Sequence, residues 1–188
     1  MNVEETIRDI KKELHASMNG VASARMREAG FPFHVIFGVE LPRLREIAAQ
    51  YTKDRQLGQQ LWNENVRESQ LLGILLTPQE EYLPEVADIW VHEAKTAESV
   101  CLISMELVFG QRWASDMAFR WIAEGTEFPA LCGWLTICRM LRTGSKLTQR
   151  SEAELRDHAS AVSDDAPLQL RKAVMQTIEE LETNIETI

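Results

Sequence analysis

The sequence predicts an all-α protein, folded as a right-handed superhelix (an α-solenoid) of stacked αα-hairpins. Apolar residues recur at helical spacing along most of the 188 residues. Helices with one apolar face alternate with helices that are apolar on most sides, and the pair recurs every ~32–38 residues. No segment has the pattern of a convincing strand, so a sheet is not expected.

The clearest hairpin is predicted around the stretch Leu61–Leu76. Asp54 can cap a first, amphipathic helix. Asn65 can cap a second helix, with Glu68 three residues later in the position of a capping-box acid. Because the second helix is wholly apolar from Leu71 to Leu76, we expect neighbouring hairpins to bury it on most sides.

Before this hairpin, the chain predicts helices joined by an irregular connection. Apolar residues three and four apart predict an amphipathic helix from Val3 to Leu14, and a short second helix ends at Gly30. The segment Phe31–Val39 is apolar but contains proline and glycine and lacks a helical period, so we predict a buried connection there. Pro42 favours the start of the next helix.

The remaining helices fall into two classes. Helices with one apolar face are predicted over residues 54–63, 80–93, 112–124 and 151–162. Helices buried on most sides are predicted over residues 66–76, 98–109, 128–143 and 166–182. Ser151 and Glu154 are placed to form a capping box at the start of the helix predicted over residues 151–162. One helix of each class makes a two-helix unit of the HEAT or armadillo kind.

Length and composition fit one soluble domain, predicted over residues 1–188. Apolar residues make up 45% and charged residues 26% of the chain, which is ordinary for a globular protein. No apolar run could span a bilayer, and the N-terminus lacks the apolar core of a signal peptide, so a cytoplasmic location is expected. Three cysteines without a CxxC pair predict buried free thiols, and the five tryptophans are expected mostly in the core.

Motifs for metal or nucleotide chemistry do not occur in the sequence. His92–Glu93 resembles the start of HExxH, but the position of the second histidine holds Thr96. No glycine-rich phosphate loop and no GxSxG elbow are present. We therefore expect no metal, no cofactor and no membrane partner.

The charge distribution gives a mixed signal for nucleic acid. The net charge of −9 counts against a general DNA-binding protein, although a local groove can be basic on an acidic body. Between Phe128 and Ser151 there are four bases and no acid. The candidate phosphate-binding residues are Arg139, Arg142 and Lys146, with Arg171 and Lys172 on the last helix. The alternative is that these bases pair with the acids of residues 152–157 and 164–165.

Three segments carry a resemblance to a known family: MNGVASARMREAGFPFHVIFGVELPRLREIAAQY, LWNENVRESQLLGILL and ESVCLISMELVF. They resemble the AlkD-like branch of the DNA alkylation repair enzymes, and the resemblance extends from Met18 to Leu181. It implies a superhelix of HEAT-like repeats. It also implies a glycosylase of the 3-methyladenine and 7-methylguanine type, which holds double-stranded DNA in a concave basic cleft.

The resemblance further implies a set of catalytic positions that this chain does not fill with the family's residues. The family's Trp and Asp, a later Arg and a final Trp fall at Ala97, Cys101, Cys132 and Gln176. Glu98 is the nearest acid and could act as a displaced carboxylate. Since a carboxylate would stabilise the cationic sugar of the transition state, its loss predicts weak or absent glycosylase activity.

Two hypotheses for the function follow. The first is a DNA-associated repair protein that binds duplex or damaged DNA and whose glycosylase activity is impaired. The alternative is a non-enzymatic scaffold whose groove holds a basic protein partner, which the acidic net charge favours.

Overall fold

The computed structural model describes residues 2–186, with side chains described from residue 2 to residue 183. Within these residues the chain forms eleven α-helices and no strand. One isolated parallel bridge joins Val35 and Val66. The prediction of an all-α protein is therefore confirmed.

The first five helices are α1 (Val3–Ala16), α2 (Gly20–Glu28), α3 (Leu41–Ala48), α4 (Arg55–Trp62) and α5 (Arg67–Leu76). The next three are α6 (Pro84–Glu93), α7 (Ala97–Ile103) and α8 (Ala114–Glu124). The last three are α9 (Glu127–Arg142), α10 (Gln149–Ala161) and α11 (Leu168–Glu186). None of the described helices is long and apolar enough to cross a membrane.

The chain divides into two compact units, one ending at Tyr82 and the other beginning at Leu83. In the N-terminal unit, α4 and α5 form the predicted hairpin, and every residue of α5 is buried. Asp54 caps α4 as predicted, because its carboxylate accepts a hydrogen bond from the Leu57 N–H at 2.8 Å. The single domain over residues 1–188 remains a prediction.

The predicted cap of α5 is wrong. The helix begins at Arg67 after Val66, and no side chain caps it. The backbone oxygen of Asn65 instead accepts hydrogen bonds from the N–H groups of His34 and Val35, at 3.1 and 3.3 Å. The segment predicted as a buried connection thus docks against the turn between α4 and α5.

Glu68, predicted as a capping-box acid, holds that connection in place. Its carboxylate is fully buried and accepts hydrogen bonds from the N–H groups of Phe37, Gly38 and Val39 at 3.0, 2.9 and 3.3 Å. Arg67 donates to Glu68 at 2.8 Å and to the Val39 carbonyl oxygen at 2.9 Å. Gly38 has a φ of 75°, and a Cβ there would lie 2.3 Å from the Asn19 oxygen. The connection is thus held against α5 by a buried ion pair and its backbone hydrogen bonds.

In the C-terminal unit, α9 is the central helix and packs against α6, α7, α8 and α11. Its contact with α8 is very close, because a Cβ at Gly133 would lie 2.5 Å from the Ala118 oxygen. Its contact with α11 includes a hydrogen bond from the Thr177 hydroxyl to the Trp134 oxygen, at 3.1 Å. Trp134 is in the core, as are three other tryptophans, which confirms the prediction for Trp62, Trp90, Trp121 and Trp134.

Two predicted helices in this unit differ from the observed ones. The helix expected over residues 98–109 ends its regular part at Ile103, and Ser104–Val108 forms one π-helical turn. The capping box of Ser151 and Glu154 is wrong, because α10 begins one turn earlier. Thr148 is its cap, and the Thr148 hydroxyl oxygen accepts from the Ser151 N–H at 3.1 Å. Thr148 and Ser151 both carry a hydroxyl that can cap a helix, and they lie one turn apart. The sequence pattern therefore does not distinguish between the two caps.

Candidate nucleic-acid interface

A pocket of about 360 Å³ opens in the C-terminal unit, with walls from α7, the π-helical turn, α9 and α11. It is lined by Cys101, Ser104, Met105, Leu135, Cys138, Arg139, Arg142, Thr143 and Gln176. Four of these, Cys101, Arg139, Arg142 and Gln176, were singled out from the sequence. The pocket therefore brings two candidate phosphate-binding arginines together with two positions of the catalytic set that the family resemblance implies.

The π-helical turn shapes one wall of the pocket. Its extra residue per turn follows from the hydrogen bond of the Phe109 N–H to the Ser104 oxygen, at 2.9 Å. The Ser104 hydroxyl lies 2.9 Å from the Thr136 hydroxyl of α9, which ties the turn to the central helix. Turns of this kind are frequent at functional sites, because they change the direction of a few side chains within a helix.

The two arginines lie three residues apart in the last turn of α9, and each has a different partner. The guanidinium carbon of Arg139 lies 5.2 Å from the centroid of the Phe109 ring, a cation–π contact that leaves its charge unneutralised. Arg142 donates from Nε to a carboxylate oxygen of Glu180 on α11, at 2.7 Å. That hydrogen bond is the main cause of a raised pKa for Arg142.

The thiol of Cys101 stands where the family resemblance implies an aspartate. Burial raises the pKa of Cys101, and the negative charge of Glu98 raises it further. Since an ordinary thiol is already mostly protonated at neutral pH, the Cys101 side chain carries no charge there. Burial also raises the pKa of Cys138, while Arg142 lowers it. The pocket wall thus presents neutral sulfur.

The other positions in that catalytic set lie outside the pocket. Cys132 is fully buried, so burial raises its pKa, opposed by a hydrogen bond with Thr136. Ala97 and Glu98 are half-buried in the first turn of α7. Cys132 and Cys138 are buried thiols as predicted, whereas Cys101 is half-buried because it faces the pocket.

The remaining predicted bases are exposed but do not line the pocket. Lys146 follows the end of α9, and Arg171 and Lys172 are the fourth and fifth residues of α11. Arg171 donates from Nε to the Ala166 oxygen at 3.0 Å. Glu180, the acid paired with Arg142, belongs to neither of the acidic groups that the sequence suggested as partners.

Phe109 and Glu180 are the two functional candidates that the sequence did not identify. Phe109 is the last residue of the helix predicted over residues 98–109 and has no special pattern there. Glu180 is one of several acids on the polar side of α11. Which residue of one helix meets which residue of another depends on their packing, and helical spacing within one segment carries no information about it.

A second cluster of ionisable groups joins α6 and α8. His92 Nδ1 lies 2.7 Å from the backbone oxygen of Asp88, and His92 Nε2 lies 2.9 Å from a carboxylate oxygen of Glu124. Asp88 also accepts a hydrogen bond from the indole N–H of Trp121, at 2.8 Å. Among the side chains that the structure describes, residues 2 to 183, no group of three or more His, Cys, Asp or Glu residues is arranged to hold a metal ion.

The fold of this chain is similar to that of a known protein. Its structure is similar to a solved structure described as "A new family of proteins related to the HEAT-like repeat DNA glycosylases with affinity for branched DNA structures". The TM-score is 0.76 at 16% sequence identity, over 95% of this chain and 80% of that chain. This similarity confirms the predicted HEAT-like fold. No curated protein matches the chain.

A family model gives the assignment. The model described as "DNA alkylation repair enzyme" matches residues 10–183, which is most of the chain. The match agrees with the resemblance seen in the sequence. The chain therefore belongs to the DNA alkylation repair enzyme family.

Proposed function

We propose that this protein binds DNA through phosphates held at the mouth of the pocket, and that its glycosylase activity toward N-alkylated purines is weak or absent. The observation that carries the proposal is the pair Arg139 and Arg142 beside the neutral thiol of Cys101. Family membership and the branched-DNA affinity stated for the similar structure support the DNA-binding part.

The pocket favours an anion and disfavours the cation that base excision produces. Release of an N-alkylated purine leaves positive charge on the sugar, which an enzyme stabilises with a preorganised negative group. The residues lining this pocket include no carboxylate, and two of them are guanidinium groups. Positive side chains raise the energy of a cationic sugar and lower that of a phosphate. The same geometry thus supports binding and counts against excision.

The first test measures DNA binding and base release together. We expect a duplex oligonucleotide or a four-way junction to shift in a gel at low salt, with an affinity that falls as salt rises. Release of 7-methylguanine from alkylated DNA is expected to stay near the uncatalysed rate. An unchanged mobility at low salt would remove the binding proposal, and efficient release would remove the proposal of lost catalysis.

A variant series assigns the binding to the pocket. R139Q removes a phosphate contact, so we expect binding to weaken several-fold and the log–log salt slope to decrease by about 0.9. R156Q is the control, because Arg156 is another arginine of this unit that pairs with Glu182 outside the pocket. Equal losses for R139Q and R156Q would mean that only the total charge matters.

The second candidate function is a scaffold for a basic protein segment. The net charge of −9 and the exposed methionines Met105 and Met175 favour it, because flexible methionines suit adaptable protein contacts. A pull-down from cell extract separates the two functions: a basic protein retained after nuclease treatment supports the scaffold, whereas nucleic acid alone supports the first proposal.

A further inference from the structure

The ion pair between Arg142 and Glu180 lies at the edge of the pocket and joins two helices. Arg142 Nε on α9 is 2.7 Å from a carboxylate oxygen of Glu180 on α11. The arginine side chain is 52% exposed, and the glutamate side chain is 28% exposed. The carboxylate is therefore held against the protein, while the guanidinium remains reachable from the pocket.

A carboxylate and a phosphate are alternative partners for one guanidinium group. Both accept charge-assisted hydrogen bonds from the planar N–H donors of arginine. A phosphate that approaches Arg142 also meets the negative charge of Glu180, and Glu179 acts on Arg142 in the same sense. Arg139 has no such competitor in its contact with Phe109, whose ring is neutral.

We propose that Glu180 is a positioning residue that competes with DNA phosphate for Arg142 and so limits the affinity of the pocket. This inference rests on the proposed function, since it assigns a regulator to the same binding site. In the free protein, Glu180 occupies Arg142. Bound phosphate takes the guanidinium from Glu180, and the released carboxylate remains as a negative charge beside the DNA.

This exchange has a signature in the salt dependence of binding. Each phosphate neutralised by a free base releases about 0.9 counterion from duplex DNA. When Arg142 leaves Glu180 for a phosphate, the freed carboxylate stays beside the DNA and offsets part of the positive charge that Arg142 brings. Arg142 therefore adds less than about 0.9 to the salt slope of the wild-type protein. With Gln at position 180 this offset is absent, and Arg142 contributes its full share.

The experiment compares wild type, E180Q and E182Q by fluorescence anisotropy with a labelled DNA duplex over a series of NaCl concentrations. E182Q is the matched control, because Glu182 is on the same helix and pairs with Arg156 at 3.4 Å. Both variants change the net charge equally. We expect E180Q to bind about three-fold more tightly at moderate salt and with a steeper slope, by at most about 0.9. We expect E182Q to keep the wild-type slope.

A double variant confines the effect to Arg142. In R142Q/E180Q the gain in slope should disappear, because the base that Glu180 blocks is gone. Circular dichroism of each variant shows that the helices are intact. A slope that stays steep in the double variant would overturn the assignment of the competition to Arg142.

The outcomes separate this inference from the function beneath it. If wild type binds DNA and E180Q and E182Q behave alike, the inference is overturned and DNA binding stands. If wild type fails to bind even at low salt but E180Q binds, the proposed function fails for the wild-type protein, whereas the competition by Glu180 is supported. If no variant binds even at low salt, the proposed function fails and the inference fails with it.

Discussion

Two arginine–glutamate pairs, one in each unit, use the same chemistry in opposite surroundings. In the N-terminal unit, Arg67 and Glu68 are 3% and 0% exposed, and the carboxylate also accepts three backbone hydrogen bonds. In the C-terminal unit, Arg142 and Glu180 meet at the edge of a pocket and are half-exposed. The N–O distances are nearly equal, at 2.8 and 2.7 Å.

The difference between the pairs lies in what replaces the partner when a pair opens. Around Glu68 there is only protein, so an opened pair leaves a buried charge, and the desolvation cost is several kcal/mol. The Arg142 side chain is 52% exposed, so solvent can replace its partner and the pair can open at a cost of ~1 kcal/mol or less. Burial thus makes the Arg67–Glu68 pair a structural link. The exposure of the Arg142–Glu180 pair is what the proposed exchange of partner requires.

The largest effect is expected at Glu68. Replacing it with Gln puts an amide beside three backbone N–H donors and leaves the Arg67 charge without its carboxylate. We expect the free energy of unfolding to fall by about 3 kcal/mol, because one partner of a buried pair is removed. Urea denaturation followed by tryptophan fluorescence measures this loss.

The control for E68Q is a variant of an exposed pair in the same unit. Glu46 is 65% exposed and pairs with Arg43 at 2.9 Å, so E46Q should change the unfolding free energy by less than ~0.5 kcal/mol. A loss below ~1 kcal/mol for E68Q would show that burial does not separate the two kinds of pair.

An intermediate effect is expected at His92 and Glu124, whose side chains are 41% and 33% exposed. The hydrogen bond to the backbone oxygen of Asp88 is the main cause of a raised pKa for His92, and Glu124 raises this pKa further. The pKa of Glu124 is lowered, first by the Thr126 hydroxyl and then by His92. A base with a raised pKa stabilises the fold below its unfolded value of 6.5, and this contribution is lost as pH rises through the folded pKa.

The prediction for this pair is a stability difference that depends on pH. H92Q should be less stable than wild type by under ~1 kcal/mol near pH 5.5, and the gap should narrow as pH rises above 6.5 and through the raised pKa at which His92 of the wild type loses its proton. Thermal melts of both proteins across this range provide the measurement. A gap that is constant with pH would show that the contact does not depend on the charge of His92.

The sequence predicted most of the helices because their cause is local. Apolar spacing and helix ends such as Gly30 predicted the class of the elements, and Asp54 was identified as a cap. Glu68 was assigned wrongly for an instructive reason. Its position in the helix fits a capping box, but its hydrogen-bond partners come from about thirty residues earlier in the chain.

The candidate site was predictable only in part, for the same reason. Arg139 and Arg142 are three residues apart on one helix, so the sequence places them on one face. Their distinct partners, Phe109 and Glu180, depend on how the π-helical turn and α11 pack against α9. The sequence predicted a regular helix over residues 98–109, and the hydrogen bond from the Phe109 N–H to the Ser104 oxygen departs from the regular helical pattern.

The smallest effect on stability is expected at Glu180. Because the pair with Arg142 is half-exposed, E180Q should change the unfolding free energy by less than ~0.5 kcal/mol in the same urea experiment. This variant removes the same chemical group as E68Q, so the ratio of the two losses measures what burial adds to an arginine–glutamate pair. A loss near 2 kcal/mol for E180Q would make Glu180 a structural residue. It could not then release Arg142 cheaply, and a gain in DNA affinity would no longer be expected.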